Sequence, residues 1–312
     1  MKIVGLMIAR DEELCCGMTV ETAKDTIDEL VFVDNMSKDN TAEIVRRKCK
    51  KFGIILHEYK ASLSNTIEDI RLLCLQNGQS RKANWFLNMD ADTVFNHKLN
   101  LRELIENNDY DQYYFRTLNL YGDMKSKRQA GLNIPHLWLF RNDKNISIVG
   151  NYIYPDGKKD PNDQRLLGWN LNGIKWAEHM FWRYMLWHSR SYNKVNKTKL
   201  SPTEYIKKTF TDNNLGDGKP TDYYLKTYVL NRMKIQCMKP DLSAAALKLT
   251  KEQFIEKYMD YPKVLKEWDC PFELIFNEKD EIVGRKPDLV DVPVLENKDI
   301  WHLHPDNLRS GV

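Results

Sequence analysis

The sequence predicts an α/β protein built on a mostly parallel sheet. Apolar runs of strand length alternate with helical patterns through the first third of the chain, as in strand–helix–strand units. These runs are continuously apolar, which is typical of parallel strands buried on both faces. The chain has 312 residues, of which 42% are hydrophobic and 11% aromatic. That composition supports a globular core and excludes a disordered chain.

The first elements follow one another in regular order. The pattern predicts strands at 2–9, 29–34 and 54–59 and helices at 16–23, 41–52 and 64–76. Asp39 or Asn40 is expected to cap the helix 41–52, and Gly53 to end it. A further strand-like run, 85–95, carries Asp90 and Asp92.

Beyond residue 96 the alternation weakens. We expect later strands at 112–118 and 136–141, a long loop at 151–173, and a buried, strand-like aromatic run at 176–187 that His188 closes. The remaining predictions are helices at 203–210, 221–233 and 251–258 and a hairpin of 272–276 with 282–285.

Cysteine usage and hydropathy point to a cytoplasmic protein. The cysteines are scattered without C-x-x-C spacing, so we expect reduced thiols and neither disulfides nor a zinc site. The apolar N-terminus is short and runs directly into charged residues 10–13, which favours a buried strand over a signal peptide. No run of about 18 apolar residues occurs, and this excludes a predicted membrane span.

Two carboxylates one residue apart stand at 90 and 92. On a strand, residues i and i+2 project from the same face, so Asp90 and Asp92 would point together. Like charges repel unless a cation lies between them, and a divalent metal carrying a phosphorylated ligand suits such a pair. Asp11 and Asp34 also follow predicted strands, and ligands of parallel sheets bind at those strand ends. The alternative is a pair of solvated carboxylates that begin a loop.

Three segments resemble family 2 glycosyltransferases of the GT-A fold, over roughly residues 1–145. They are Ala9-Arg10-Asp11-Glu12, the V-D-x-x-S-x-D-x-T pattern of residues 33–41, and Met89-Asp90-Ala91-Asp92. The resemblance implies a Rossmann-like, nucleotide-diphospho-sugar transferase sheet that is mixed and flanked by helices. It also implies a domain at 1–240, with a donor-nucleotide half (1–120) and an acceptor half (121–240), followed by a C-terminal extension (241–312).

The resemblance also implies the donor and its contacts. The donor would be a nucleotide-diphosphate sugar, a UDP-sugar first of all, with Mn²⁺ or Mg²⁺ held by Asp92 and, directly or through water, by Asp90. Asp34 would contact the nucleoside base, while Asp11 and the adjoining backbone at Ala9 line the same pocket. Arg71 stands where many members have an arginine near the donor. The alternatives are a turn or capping role for Asp34 and an exposed helix charge for Arg71.

Many GT-A enzymes use a histidine beyond the D-x-D as a further metal ligand. His188 is the predicted ligand here, with His179, His302 and His304 as competitors and a structural histidine as the alternative. Lys194 or Arg190 would then approach the diphosphate.

The general base is where the chain departs from the family. Many members carry a Gly-x-x-His-Glu-type segment after the Leu-Phe-Arg-Asn-like strand, but residues 149–152 contain no acid. Asp163 is the favoured catalytic base because it precedes an apolar, Trp-containing stretch. Asp156, Asp160 and Glu178 remain alternatives.

Residues 121–210 contain 16 Lys and Arg against 7 Asp and Glu, although the whole chain has a net charge of only +3. Tyrosines and tryptophans are interleaved with these basic residues, a mixture suited to phosphates and stacked rings. We therefore expect an acidic acceptor: a phosphate-bearing glycan, a lipid head group or a modified base in DNA. A solvated lysine-rich surface is the alternative.

Two other classes of protein remain open. Asp90-Ala91-Asp92-Thr93-Val94 also resembles the D-x-D-x-T of haloacid-dehalogenase-type phosphatases, with Asp90 as nucleophile and residues 216–222 as a distal acidic motif. However, residues 211–215 are polar and three predicted strands precede the D-x-D, which disfavours this class. The other alternative is a non-catalytic sugar-nucleotide-binding or nucleic-acid-binding module that lost its base.

Overall fold

The computed structural model describes most of the chain. The described residues are 1–62, 66–124, 129–132, 135–142, 145–149, 152–210, 226, 228–230, 233–234 and 248–290.

The N-terminal part is a succession of strands and helices. Its elements are β1 (Ile3–Ala9), α1 (Cys16–Ala23), β2 (Glu29–Asp34), α2 (Thr41–Phe52), β3 (Ile55–Lys60), α3 (Ile67–Gln79) and β4 (Trp85–Asp90). The four strands are parallel and lie in the order β3-β2-β1-β4. The predicted strands and helices of this part are confirmed, with shifts of at most a few residues.

Strand β1 illustrates why the apolar runs are continuous. Ile3 and Met7 pack into one core cluster, whereas Val4 and Leu6 pack into a second cluster that contains residues of α3. Because both faces of the strand are covered, neither face has polar positions.

The predicted strand 85–95 is wrong as a single element. Strand β4 ends at Asp90, residues 91 and 92 form a turn, and β5 (Thr93–Phe95) is a separate strand. Asp90 and Asp92 therefore lie on either side of a change in chain direction, and the alternation of one strand does not describe them.

The second half of the main sheet makes it mixed. It is formed by β6 (Gln112–Tyr121), β7 (Gln129–Leu132), β8 (His136–Arg141) and, after a β9–β10 hairpin (Ser147–Val149 and Tyr152–Tyr154), β11 (Leu166–Gly173), with α4 (Leu101–Glu106) before them. Among the described residues the sheet has nine strands in the order β3-β2-β1-β4-β8-β6-β11-β5, and β7 pairs with β6. Strand β8 is antiparallel to both β4 and β6.

The loop predicted at 151–173 is wrong, because it contains β10 and β11. Its Gly and Asn content hides a strand whose apolar residues, Leu167, Trp169 and Leu171, are buried. Gly168 explains part of that composition. A Cβ atom at this position would lie 2.1 Å from the Val94 carbonyl oxygen of the paired strand β5.

The run 176–187 is helical and not strand-like. Trp176 is the N-cap, and the rest of the run lies in α5 (Ala177–Asn196), whose buried residues include Ala177, Met180, Phe181 and Met185. This spacing of three and four residues is that of one helix face. Helix α6 (Pro202–Phe210) is confirmed, whereas most of the helix predicted at 221–233 lies outside the described residues.

The predicted C-terminal helix and hairpin are confirmed as α7 (Lys251–Tyr258) and the pair of β12 (Glu273–Phe276) and β13 (Ile282–Lys286). The short helix α8 (Lys263–Lys266) between them was not predicted. In the described part of the chain, every helix is too short or too polar to cross a bilayer.

The chain divides into two compact units. The first contains residues 1–120, 130–172 and 240–269, and the second contains 121–129, 173–239 and 270–312. The second unit is fastened by the buried Arg285. Its guanidinium donates to the carbonyl oxygens of Lys175 and Gly122, pairs with Asp288, and lies over the Phe272 ring. The division predicted at residues 120 and 240 stays a prediction.

We expect Gly168→Ala to lower the free energy of unfolding by about 2 kcal/mol, because the added methyl group would meet backbone that cannot rotate away. Denaturant unfolding measures this. Gly53→Ala is the matched control. Gly53 has φ +69° and open space around it, so the substitution should cost only about 1 kcal/mol of backbone strain. Equal stability of Gly168→Ala and wild type would contradict the close β5–β11 approach.

Candidate functional site

The register of the parallel strands gathers carboxylates at one edge of the sheet. Ala9 at the end of β1 pairs with Asp34 at the end of β2, and its neighbour Ile8 lies opposite Asp90 at the end of β4. Asp11 follows β1 by two residues. The three predicted site carboxylates of β1, β2 and β4 therefore share the carboxyl edge, as expected for a ligand site in such a sheet.

The loops that follow β1 and β2 are joined by hydrogen bonds. Three successive backbone N–H groups, at residues 11–13, donate to Ser37 Oγ at 3.1 Å, to Thr41 Oγ1 at 2.7 Å and to Asp39 Oδ2 at 3.0 Å. Asp39 Oδ1 also accepts from the backbone N–H of Thr41. The S-x-D-x-T part of the motif thus holds the β1 loop in place.

Asp11 and Asp34 are anchored within the same pair of loops. Asp11 has φ +54°, in the left-handed region, and its Oδ1 accepts from the Lys38 N–H at 2.8 Å. Asp34 is buried, and its Oδ1 accepts from the Ser37 N–H at 3.0 Å. Asp34 therefore has the turn contact that was the alternative reading. Its contact with a nucleoside base stays a prediction.

Asp92 is buried in the turn between β4 and β5, and residues of β11 and α1 contact that turn. Asn170 Nδ2 donates to Asp92 Oδ1 at 3.0 Å, and the Leu171 N–H donates to the Asp92 carbonyl at 2.7 Å. From α1, the fully buried Thr19 hydroxyl donates to the Ala91 carbonyl at 2.9 Å. These contacts fix the position of the Asp92 backbone.

Arg71 lies on the face of the sheet that carries Asp90. Its Nη1 donates to Asn88 Oδ1 at 3.3 Å, and Asn88 precedes Asp90 by two residues on β4. Residues two apart on a strand share a face. The side chain is half-buried, so the exposed helix charge considered from the sequence is wrong.

The sequence reasoning missed His136, the first residue of β8. Burial lowers the pKa of this half-buried histidine, and the negative charge of Asp90 acts in the opposite direction. No local pattern in the sequence marks His136, because its place at the level of Asp90 follows from the antiparallel pairing of β8 with β4.

Asp163 precedes β11, which begins at Leu166, and its Oδ1 accepts from Gln164 Nε2. Its predicted role as the catalytic base stays a prediction. The alternative base Asp160 is buried in an ion pair with Arg165.

His188 and Lys194 belong to the second unit, on α5. His188 is buried, and its Nε2 lies 2.9 Å from the Tyr228 hydroxyl. Its predicted role as a metal ligand stays a prediction, as does the approach of Lys194 to a diphosphate. His302 and His304 lie outside the described residues.

The chemistry of the D-x-D suits Mn²⁺ or Mg²⁺. No group of three or more His, Cys, Asp or Glu side chains within the described ranges forms a metal cage. Mg²⁺ commonly binds one or two carboxylates and completes its shell with water and substrate phosphates. Two hard carboxylates at a strand edge fit that kind of site.

Comparison with known families identifies the class of protein. Residues 6–157 match the family model described as "Glycosyl transferase family 2". The matched range begins within β1 and ends after β10, so it contains the carboxyl ends of β1, β2 and β4. The matched range covers just under half of the chain, and over it the predicted resemblance to family 2 glycosyltransferases is confirmed. The chain is a glycosyltransferase, and the predicted GT-A fold with a mixed sheet flanked by helices is confirmed.

Solved structures resemble the chain more distantly. S. aureus TarS 1–349 in complex with UDP is 14% identical with a TM-score of 0.37, over 90% of this chain and 98% of that chain. The longer TarS chain is matched over 60% of its length. Mycobacterium tuberculosis glucosyl-3-phosphoglycerate synthase with Mg²⁺ and UDP is 14% identical with a TM-score of 0.28, over 36% of this chain and 43% of that chain. Among curated proteins, no sequence matches significantly.

We expect Asp90→Asn to lower the pKa of His136 further, because it removes the negative charge that opposes the effect of burial. NMR titration of the imidazole protons in metal-free protein measures this. Asp92→Asn is the control and should change the His136 pKa less. An unchanged pKa in Asp90→Asn would contradict the proximity of the two groups.

Proposed function

We propose that this glycosyltransferase moves a sugar from a nucleotide-diphosphate sugar to a hydroxyl acceptor and depends on Mn²⁺ or Mg²⁺. The observation that carries the proposal is the gathering of Asp34, Asp90 and the Asp11 loop at one edge of the parallel strands. UDP-sugars are the donors to test first.

The chemistry requires charge compensation at the leaving group. The acceptor oxygen forms a bond to the anomeric carbon as the bond to the diphosphate oxygen breaks, and negative charge accumulates on the departing diphosphate. The proton of the acceptor hydroxyl passes to a general base, for which Asp163 is proposed. When bound, the metal ion would neutralise that charge as a Lewis acid. Asp92 would hold the ion, with Asp90 acting directly or through water.

The remaining donor contacts follow from the same edge. Asp34 would accept from the nucleoside base, while the backbone from Ala9 to Asp11 lines the pocket beside it. Arg71 lies on the Asp90 face and would add positive charge near the diphosphate. His188 is proposed as a further metal ligand and Lys194 as a diphosphate contact.

We further propose an acidic acceptor. Support comes from exposed lysines beside aromatic rings: Lys158 Nζ lies 4.8 Å from the Tyr110 ring centroid, and Lys159 Nζ lies 4.1 Å from that of Tyr114. Such pairs combine charge for phosphate with flat surfaces for sugar or base.

A cytoplasmic location is also proposed. The described cysteines are buried thiols that form no disulfide with one another, which suits a reducing compartment.

We expect Asp92→Ala to reduce turnover of the accepted donor by about 100-fold or more, because the variant loses the residue that holds the charge-neutralising ion. A panel of UDP- and GDP-sugars with Mn²⁺, assayed for nucleotide release, measures this, and EDTA should abolish release by the wild type. Asp109→Ala is the control and should keep wild-type turnover. Asp109 is exposed, and its partner Arg141 lies opposite the amino end of β4, whereas the D-x-D follows the carboxyl end.

The same assay separates the other classes. Phosphate release from an aryl phosphate, without hydrolysis of any sugar nucleotide, would favour the phosphatase reading. Metal-dependent nucleotide binding without turnover would favour a non-catalytic module.

If the acidic acceptor is DNA, the protein should retard duplex DNA at low ionic strength and lose this binding as salt rises, because phosphate contacts release counterions. An electrophoretic mobility shift measures it. The absence of a shift even at low salt would exclude DNA as the acceptor, and phosphate-bearing glycans and lipid head groups would remain as candidates.

A further inference from the structure

Asn170 lies on β11 directly opposite Thr93 of β5 and is 7% exposed. Its Nδ2 donates to Asp92 Oδ1 at 3.0 Å and to Thr93 Oγ1 at 3.2 Å. Its Oδ1 accepts from the Asn172 N–H at 2.9 Å. Both ends of the carboxamide are thus engaged.

These partners determine the orientation of the amide. A flipped carboxamide would point Oδ1 at the Asp92 carboxylate and Nδ2 at the Asn172 N–H, setting acceptor against acceptor and donor against donor. The Asn170 side chain therefore has one favourable orientation, and in that orientation it donates to Asp92.

The Asn170–Asp92 hydrogen bond orients a side chain whose backbone is already held in place. The Leu171 N–H donates to the Asp92 carbonyl, so β11 binds both the main chain and the carboxylate of Asp92. Carboxylates that bind metals are commonly oriented by such outer hydrogen bonds, whose loss weakens metal binding.

We propose that Asn170 is a positioning residue, which sets the Asp92 carboxylate in the orientation that binds the metal ion on the donor diphosphate. This inference rests on the proposed function, because it takes Asp92 as the metal-holding residue. Asn170 acts through Asp92 and contacts neither ion nor donor in this role.

If Asn170 only joined β5 to β11, its role would be the same as that of Asn96. Asn96 is therefore the matched control. Asn96 Nδ2 donates to the Leu166 carbonyl at 3.1 Å, so it joins β5 to β11 at the other end of the same pairing. Asn96→Ala loosens the strand pair without touching the carboxylate.

The test measures Mn²⁺ binding by the full chain in saturating UDP or GDP. Binding is monitored through the electron paramagnetic resonance signal of free Mn²⁺. Wild type and Asn96→Ala should bind with the same affinity, and Asp92→Ala should lose the site. Asn170→Ala should bind about 10- to 100-fold more weakly. Thermal unfolding of each variant, without metal, records the structural cost separately.

Two results would overturn the positioning role while the proposed function stands: Asn170→Ala binds Mn²⁺ like wild type although Asp92→Ala does not, or Asn170→Ala and Asn96→Ala weaken binding equally. If wild type shows no nucleotide-dependent Mn²⁺ site, the proposed function fails and this inference with it. Should Asn170→Ala not fold, Asn170→Leu keeps the volume without donors and should show the same loss of affinity.

Discussion

The parallel register of β1 with β2 and β4 is the constraint on which the site depends. It places Ala9 level with Asp34 and Ile8 level with Asp90, so acidic residues reach one edge from chain segments far apart in sequence. Such charges are costly together unless a cation is shared among them. A fold that gathers them is therefore suited to a metal ion and a diphosphate.

Two separate sets of hydrogen bonds hold the loops at this edge in place. On the β2 side, the side chains of Ser37, Asp39 and Thr41 accept hydrogen bonds from successive N–H groups of the β1 loop. On the β4 side, Asn170 and Thr19 bond the turn that carries Asp92. Several polar residues of the V-D-x-x-S-x-D-x-T motif thus position the loops, which is common where a site must be rigid.

The sequence was a good guide to the parallel strands, to β6 and β8 and to the β12–β13 hairpin, but a poor guide to β11. Strands such as β1 are buried on both faces, so composition alone defines them. Strand β11 was read as a loop because Gly168 and Asn170 dominate its appearance, yet the glycine meets the backbone of Val94 and the asparagine faces a buried carboxylate. Both residues are required by contacts with residues more than 70 positions away in the sequence, and a local sequence pattern does not reveal such contacts.

The same limit applies to the site. The positions of Asp34 and Asp90 at strand ends were predictable because each ends an apolar run. Asn170 and His136 were not, because their roles depend on which strands become neighbours. The run before His188 was taken for a strand because its aromatic content masked the helical spacing of α5.

The most direct test of a metal-dependent donor site at this edge is a thermal-shift screen of nucleotide sugars with and without Mn²⁺. A ligand that binds only the folded state raises the melting temperature by mass action. We predict that at least one nucleotide sugar raises it in the presence of Mn²⁺, and that neither EDTA-treated protein nor Asp92→Ala responds. Stabilisation by no nucleotide sugar, or equal stabilisation of wild type and Asp92→Ala, would contradict the account.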